Sequence, residues 1–327
     1  MKNIAVLGAG SWGTALSILL AKNGHLVHLW DRDPALIKTL QQQTMNPVYL
    51  PDITFPDKIR ATASLDAAIQ AAEFVLIAIP SSGFCQLLTK IKTYNKPLIW
   101  ASKGLEPQNN QLLHEVITSI CGTKLQAALL SGPSFAKEVA QAAPTAVVVA
   151  SQDKAYASSV IELFANDYFR PYYSDDVIGV EIGGAVKNVM AIAAGIADGL
   201  GFGANARAAL ITRGLNEITR LAIALGARAE TLMGLSGLGD LILTCTDDQS
   251  RNRRFGLALG QGFSAKQALN DIGQVVEGAD NVSQVIALAD KYHLDMPITT
   301  HVQQVLQQLI TPRQAVKSLF SRDLRPE

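Results

Sequence analysis

The sequence predicts an α/β protein with an N-terminal doubly wound sheet domain over residues 1–178 and an all-helical C-terminal domain over 179–327. Three observations predict it. A chain of 327 residues suits two domains at roughly 150 residues each. Its first half alternates short apolar runs with helical stretches, the pattern of strands joined by crossover helices. After about Asp176 the strand-like runs stop, and Ala, Leu and Ile recur at helical spacing.

Taken in order, the predicted strands are Asn3–Leu7, Leu26–Trp30, Phe74–Ile79, Leu98–Ala101, Ala127–Leu130 and Ala146–Ala150. Each is short, apolar and bounded by turn residues. A continuous run such as Phe-Val-Leu-Ile-Ala-Ile suits a strand covered on both faces, hence a parallel sheet with helices on either side. The segment containing Pro47, Pro51 and Pro56 reads as loop. In the second half, Gly179–Gly199 and Asn205–Gly226 read as long helices. In the second of these, Leu210, Gly214, Ile218, Leu221 and Leu225 share one face. Arg213, Glu217 and Arg220 lie on another, spaced for i,i+4 and i,i+3 ion pairs, and Gly226 closes the helix as a C′ residue. Further helices are expected over Ser264–Leu269, Asn281–Tyr292 and Thr299–Leu309.

Lys and Arg number 28, as do Asp and Glu, so the formal net charge is zero. That argues against nucleic acid as a partner, since binding a polyanion needs a basic surplus. Charged residues are only 17% and hydrophobic ones 48%, enough to build a large core. Aromatics are only 6%, so Ala, Val, Leu and Ile fill it. Lys187 and Asp198 break the longest apolar stretches, so no membrane insertion is expected. The first twenty residues mimic a signal peptide, but Gly8, Gly10 and Gly13 interrupt their apolar core. Cys85, Cys121 and Cys245 are widely spaced and odd in number, making neither a disulfide framework nor a metal site. A cytoplasmic protein without a metal is the expectation.

Gly8-Ala9-Gly10-Ser11-Trp12-Gly13 is a G-x-G-x-x-G that follows a predicted strand and opens a helical run, Thr14–Lys22. Its glycines let the backbone turn tightly and approach a pyrophosphate, which the helix N-terminus attracts. This is the context of a Rossmann-type dinucleotide site. Asp31 ends the next strand, where an acid would hold an adenosine ribose; Arg32 follows and would instead take a 2′-phosphate. The pair leaves NAD and NADP both open.

Ser102-Lys103-Gly104 and Ser131-Gly132-Pro133-Ser134 each follow a strand, the side of an open α/β sheet on which ligands bind. On the helix Gly179–Gly199, positions 183, 184, 187, 191, 194, 195 and 198 form a stripe of small residues with Lys187 at its middle. A small-residue face lets another backbone or a ligand come close. A lysine buried there would lose its proton more readily, as a general acid–base group must. A solvated lysine on an outward face is the competing reading. Gly234-Leu-Ser-Gly-Leu-Gly-Asp240 delivers one carboxylate, either as an N-cap or to bond a hydroxyl or the ammonium. Ser250-Arg251-Asn252-Arg253-Arg254 opens a helix and suits a phosphate monoester.

These segments together resemble NAD(P)-dependent glycerol-3-phosphate dehydrogenase of the bacterial cytosolic type, along nearly the whole chain. The resemblance rests on GAGSWGTAL (Gly8–Leu16), SKGLE (Ser102–Glu106), SGPSFAKEV (Ser131–Val139), KNVMAIAAGIADGLG (Lys187–Gly201), NARAALITRG (Asn205–Gly214) and GLSGLGDLILTCTDDQSRNRRF (Gly234–Phe255). It implies hydride transfer between a nicotinamide and C2 of sn-glycerol 3-phosphate or dihydroxyacetone phosphate, feeding phospholipid synthesis. By resemblance, Lys187 is the proton acceptor. Lys103, Gly132, Ser134, Asp240, Ser250, Arg251 and Asn252 contact substrate. Ser11, Trp12, Arg32, Lys103, Ala136, Arg251, Val275 and Glu277 contact the cofactor, NADPH being favoured, together with Gly8, Gly10 and Gly13 of the loop. Asp33 departs from members that carry a second basic residue there, which bears on how strong that preference is. The resemblance and the small-residue helices favour a homodimer.

Two rival readings remain at this stage. A 6-phosphogluconate or β-hydroxyacid dehydrogenase also joins a dinucleotide domain to helices around a lysine. A nucleotide sensor would bind NAD(P) without turnover.

Overall fold

The computed structural model describes residues 1–321 and divides them into two units, residues 1–106 with 111–180, and 107–110 with those from 181 onward. In the first unit, strands β1 (Asn3–Leu7), β2 (Leu26–Trp30), β5 (Ile59–Thr62), β6 (Phe74–Ile77), β7 (Leu98–Trp100), β8 (Ala127–Ser131), β9 (Thr145–Ala150) and β10 (Phe169–Ser174) form one sheet. A separate hairpin holds β3 (Met45–Asn46) and β4 (Leu50–Thr54). The helices are α1 (Ser11–Lys22), α2 (Pro34–Gln43), α3 (Leu65–Gln70), α4 (Phe84–Ile91), α5 (Leu113–Cys121), α6 (Ala136–Ala140) and α7 (Lys154–Phe164).

The strand order is β10-β9-β8-β7-β6-β1-β2-β5. The chain runs outward from β1 through β2 to β5, then returns to β6 on the other side of β1. That reversal is the topological switch point of a doubly wound sheet, at the carboxyl end of β1, where the glycine loop begins. The register puts Ala5 between His28 and Val75. Ile4, Val6, Leu7, Leu76 and Ile99 are fully buried, as continuous apolar strands covered on both faces should be.

Two expectations need correction. The sheet is mixed: β9 pairs antiparallel to β8, and β10 then runs parallel to β9. The connection between β8 and β9 carries only the five-residue helix α6, and the chain re-enters the sheet from the same end. The Pro47–Pro56 segment contains the β3–β4 hairpin, in which Met45 pairs with Thr54 and Asn46 with Leu50, leaving Pro51 without a partner residue. An unpaired strand position tolerates the missing N–H.

The second unit holds α8 (Val177–Gly199), which begins in the first, then α9 (Ala204–Ala224), α10 (Ala229–Leu232), α11 (Asp240–Thr246), α12 (Arg251–Gly260), α13 (Ala265–Ile272), α14 (Glu277–Lys291), α15 (Pro297–Leu306) and α16 (Pro312–Phe320). Among the described residues α8 alone is long and apolar enough to cross a membrane, but 89% of its apolar window is buried, as in a core helix. Gly226 does follow the end of α9, at φ +93°, a left-handed conformation suited to C′.

The small-residue stripe of α8 is used inside the chain. A Cβ at Gly195 would sit 2.1 Å from the Arg253 carbonyl oxygen, and one at Gly199 2.3 Å from that of Leu257. Reciprocally, Cβ atoms at Gly256 and Gly260 would meet the carbonyl oxygens of Ile192 and Ile196 at 2.0 and 2.4 Å. Paired glycines four residues apart let α8 and α12 cross backbone to backbone. The stripe thus lends no support to a dimer contact.

Glu217 has partners beyond the expected arginines. It is 2% exposed, and its carboxylate accepts from the Ile298 N–H (2.6 Å), the Thr299 N–H (3.2 Å) and the Thr299 hydroxyl (3.0 Å), capping α15. Burial pushes its carboxyl above the ordinary value of 4.5, against the lowering effect of those bonds. The folded protein therefore holds this proton more tightly than the unfolded chain. The group favours the fold at low pH, and that contribution is lost as pH rises from 4.5 through the raised value. Denaturant titrations of wild type and Glu217→Gln from pH 4.5 to about 7 should show the wild type losing stability relative to the variant. Parallel curves would contradict this.

Candidate functional site

In the first unit the candidate residues lie mostly on loops that follow strands. Gly8 adopts φ +113°, and a Cβ there would lie 2.6 Å from the Ala78 carbonyl oxygen. A Cβ on Gly13 would lie 1.9 Å from the carbonyl oxygen of Gly8. Both glycines are demanded by the loop's own packing. Gly10 is different: a Cβ there meets nothing within 4 Å, and its φ of −69° suits any residue. The open space beside it, next to an α1 N-terminus with no side-chain cap, fits the phosphates of a dinucleotide.

Side chains hold this loop in place. The Asp31 carboxylate accepts from the N–H of Ala9 at 2.9 Å and from that of Asp33 at 3.0 Å. Asn46, fully buried, donates to the Ala9 carbonyl oxygen and to the Thr14 hydroxyl, both at 2.8 Å. The Ser11 hydroxyl donates to the Tyr49 carbonyl oxygen at 2.8 Å. Trp12 packs on the core, its indole N–H buried and without a hydrogen-bond partner. Arg32 is exposed. Lys103 Nζ donates to the Gly132 carbonyl oxygen at 3.3 Å, and Ser134 Oγ donates to the same oxygen at 3.0 Å, so these three residues form one group. Ala136 is the first residue of α6.

In the second unit Lys187 is 8% exposed, which removes the reading of a solvated lysine. Its ammonium lies 2.5 Å from Asp240 Oδ1 and 2.9 Å from the Thr244 hydroxyl. That hydroxyl donates in turn to the Asp240 carbonyl oxygen at 2.6 Å, which leaves its lone pair to the lysine. Asp240 is 1% exposed and opens α11 behind a π-type turn, Leu235–Gly239. A Cβ on Gly183 of α8 would lie 2.5 Å from the Ser236 carbonyl oxygen, so the turn seats directly on α8 and brings Asp240 to Lys187. Each charge offsets the other's loss of water. Cys245, beside this pair, is fully buried, and burial pushes its thiol up to about 12. It stays protonated near neutral pH and is no nucleophile.

Ser250 is the N-cap of α12, its hydroxyl accepting from the Arg253 N–H at 3.2 Å. Asn252 donates to Asn188 Oδ1 (3.0 Å) and accepts from the Gly278 N–H (2.8 Å); Asn188 donates to Glu277 Oε2 (3.2 Å). Glu277 thereby joins Asn188 and Asn252 at the start of α14. Arg251 is half-buried, its guanidinium 3.5 Å from Gln274 Oε1, while Val275 is exposed. Arg253 is instead structural: buried, it pairs with Asp248 and, at 2.7 Å, with Asp198 of α8.

Sequence reasoning missed Asn46, Asn188 and Thr244. Thr244 stands four residues after Asp240 and so on the same helix face, a signal that was available. Nothing local marked Asn46, whose side-chain N–H groups donate to Ala9 and Thr14, each more than thirty residues away.

A family model described as the NAD-dependent glycerol-3-phosphate dehydrogenase N-terminus matches residues 3–157, and one described as its C-terminus matches 176–317. The chain belongs to the NAD-dependent glycerol-3-phosphate dehydrogenase family. A relative from Thioalkalivibrio sulfidiphilus named glycerol-3-phosphate dehydrogenase [NAD(P)+] is 54% identical, covering 99% of this chain and 98% of its own. The crystal structure of glycerol-3-phosphate dehydrogenase from Coxiella burnetii superimposes with a TM-score of 0.96 at 47% identity, covering 98% and 99% of the two chains. The Saccharomyces cerevisiae enzyme gives 0.81 at 28% identity, covering 97% and 98%. As a glycerol-3-phosphate dehydrogenase family member the chain is an oxidoreductase that uses NAD(P), with a Rossmann-type unit followed by a helical one. That disposes of the sensor without turnover.

Proposed function

We propose that the chain interconverts sn-glycerol 3-phosphate and dihydroxyacetone phosphate with NAD(P), NADPH being favoured, and that Lys187 moves the proton at the C2 oxygen. The observation that carries this reading is the buried Lys187 ammonium, held by Asp240 and Thr244. Residues 1–178 act as the dinucleotide-binding domain and 179–327 as the helical substrate-binding and catalytic domain.

When bound, the nicotinamide supplies hydride to the carbonyl carbon or accepts it from the alcohol. Lys187 gives a proton to the C2 oxygen in reduction and takes the hydroxyl proton in oxidation, so that charge developing on that oxygen meets a fixed cation. Asp240 orients the ammonium and offsets its buried charge. Arg251, with the N-terminus of α12 at Ser250 and Asn252, holds the substrate phosphate, a remote handle whose binding energy orients the reacting end. Lys103, Gly132 and Ser134 are further substrate contacts that the family resemblance implies. The loop Gly8–Gly13 with Ser11 and Trp12 holds the dinucleotide, joined by Arg32, Lys103, Ala136, Arg251, Val275 and Glu277. No step requires a metal.

NADPH is favoured because Asp31 is engaged by backbone amides while Arg32 beside it is exposed and cationic. The family resemblance supports the setting: a cytoplasmic homodimer feeding phospholipid synthesis. Zero net charge argues against nucleic acid as a partner.

The test follows reduced-nicotinamide absorbance with dihydroxyacetone phosphate and either NADH or NADPH. Decay that requires dihydroxyacetone phosphate, with higher kcat/KM for NADPH, supports the reading. Absence of decay with both, despite measurable dinucleotide binding, overturns it. Arg32→Ala should raise KM for NADPH about 10- to 100-fold, the worth of an Arg–phosphate contact, and barely move KM for NADH. Equal shifts for the two would remove Arg32 from the 2′-phosphate.

A further inference from the structure

We propose that Asp31 and Asn46 are positioning residues that clamp the two peptide groups of Ala9, and that Asp31 does this instead of gripping the cofactor's ribose. The proposal rests on the reading that the Gly8–Gly13 loop binds a dinucleotide.

Ala9 lies between the two glycines that give the loop its turn. Its N–H is taken by Asp31 Oδ2 at 2.9 Å and its carbonyl oxygen by Asn46 Nδ2 at 2.8 Å. One side chain thus holds the peptide entering Ala9, and another holds the peptide leaving it. The leaving peptide contains the N–H of Gly10, beside the open space that suits phosphate. Glycine-flanked peptides rotate freely, and a rotated peptide would turn an oxygen, not an N–H, toward an anion. Both clamps are themselves fixed. The second Asp31 oxygen accepts from Asp33, whose own carboxylate caps α2. Asn46 also donates to Thr14 and accepts from the Tyr49 N–H at 3.1 Å, and its side chain is fully buried. An amide with three bonds and no exposure has no freedom to serve elsewhere.

The two roles for Asp31 make opposite predictions. An acid that grips the ribose diol discriminates against a 2′-phosphate, so its neutralisation weakens NADH and strengthens NADPH. An acid that clamps the loop serves both dinucleotides alike. Dissociation constants for NADH and NADPH, read by nicotinamide fluorescence in the absence of substrate, separate them for wild type, Asp31→Asn, Asp31→Ala and Asn46→Ala. Each variant is expected to weaken both dinucleotides by about tenfold, the cost of one lost hydrogen bond, with the NADPH/NADH ratio held within about twofold of wild type. In turnover, KM for dinucleotide rises more than kcat falls, whereas a merely destabilised fold lowers the active fraction and leaves KM alone.

Asp31→Asn keeps the side-chain shape and serves where Asn46→Ala fails to fold. Weaker NADH with tighter NADPH in Asp31→Asn overturns the proposal. So do wild-type constants in a folded Asn46→Ala or Asp31→Asn. A wild-type protein that binds neither dinucleotide defeats the underlying reading instead, a distinct outcome.

Discussion

Replacing Lys187 with alanine should lower kcat by roughly 10²- to 10⁴-fold, the range that a positioned acid–base group contributes, while the dissociation constant for NADPH stays near that of wild type. The cofactor is assigned chiefly to residues of the first unit, and Lys187 belongs to the second. The variant also breaks the buried ion pair to Asp240, 1% exposed, at a cost of about 3–5 kcal/mol. Rates must therefore be normalised to the fraction that still binds NADPH. A paired variant, Lys187→Met with Asp240→Leu, separates the two effects. Apolar residues of similar volume should recover much of the stability and none of the turnover. Near-normal kcat in either variant would remove Lys187 from the chemistry.

The second large effect is a contrast between two glycines of one motif. Gly10→Val should leave thermal stability within about 1–2 °C of wild type yet weaken dinucleotide binding by more than about 100-fold. Its Cβ would meet nothing within 4 Å, and on the proposed reading the phosphates occupy that space. Gly13→Val should fail at folding itself, since its Cβ would lie 1.9 Å from a backbone oxygen that no rotamer change can move. A scanning melt with and without NADPH reads both variants. A Gly10→Val protein that NADPH still stabilises like wild type would place the dinucleotide elsewhere.

Much of this was legible in local pattern. Continuous apolar strands, the glycine motif after β1, and the helices α8 and α9 all follow from spacing, because buried sheets and helix faces impose periods of their own. Lys187 and Asp240 were both singled out. Their pairing was only one of the readings open for Asp240, because it is made by a turn that seats on α8 fifty-three residues away in sequence. The carboxylate Glu217 was read only in part. Its spacing from Arg213 and Arg220 read only as pairs along one helix, while a helix start some eighty residues later draws it inward.

The sequence by itself determined the two-part architecture, the nucleotide loop and the residue types at each end of the chemistry. These depend on repeats of two and 3.6 residues and on short motifs, which any window of the chain displays. Tertiary structure alone decided which glycines the packing demands and which stand beside open space, that β9 turns back against β8, and that Asp31 and Asn46 hold opposite sides of one alanine. Each of these depends on what a group meets from a distant part of the chain. Close packing and the need to satisfy buried polar atoms set that meeting, and neither leaves a local period to read.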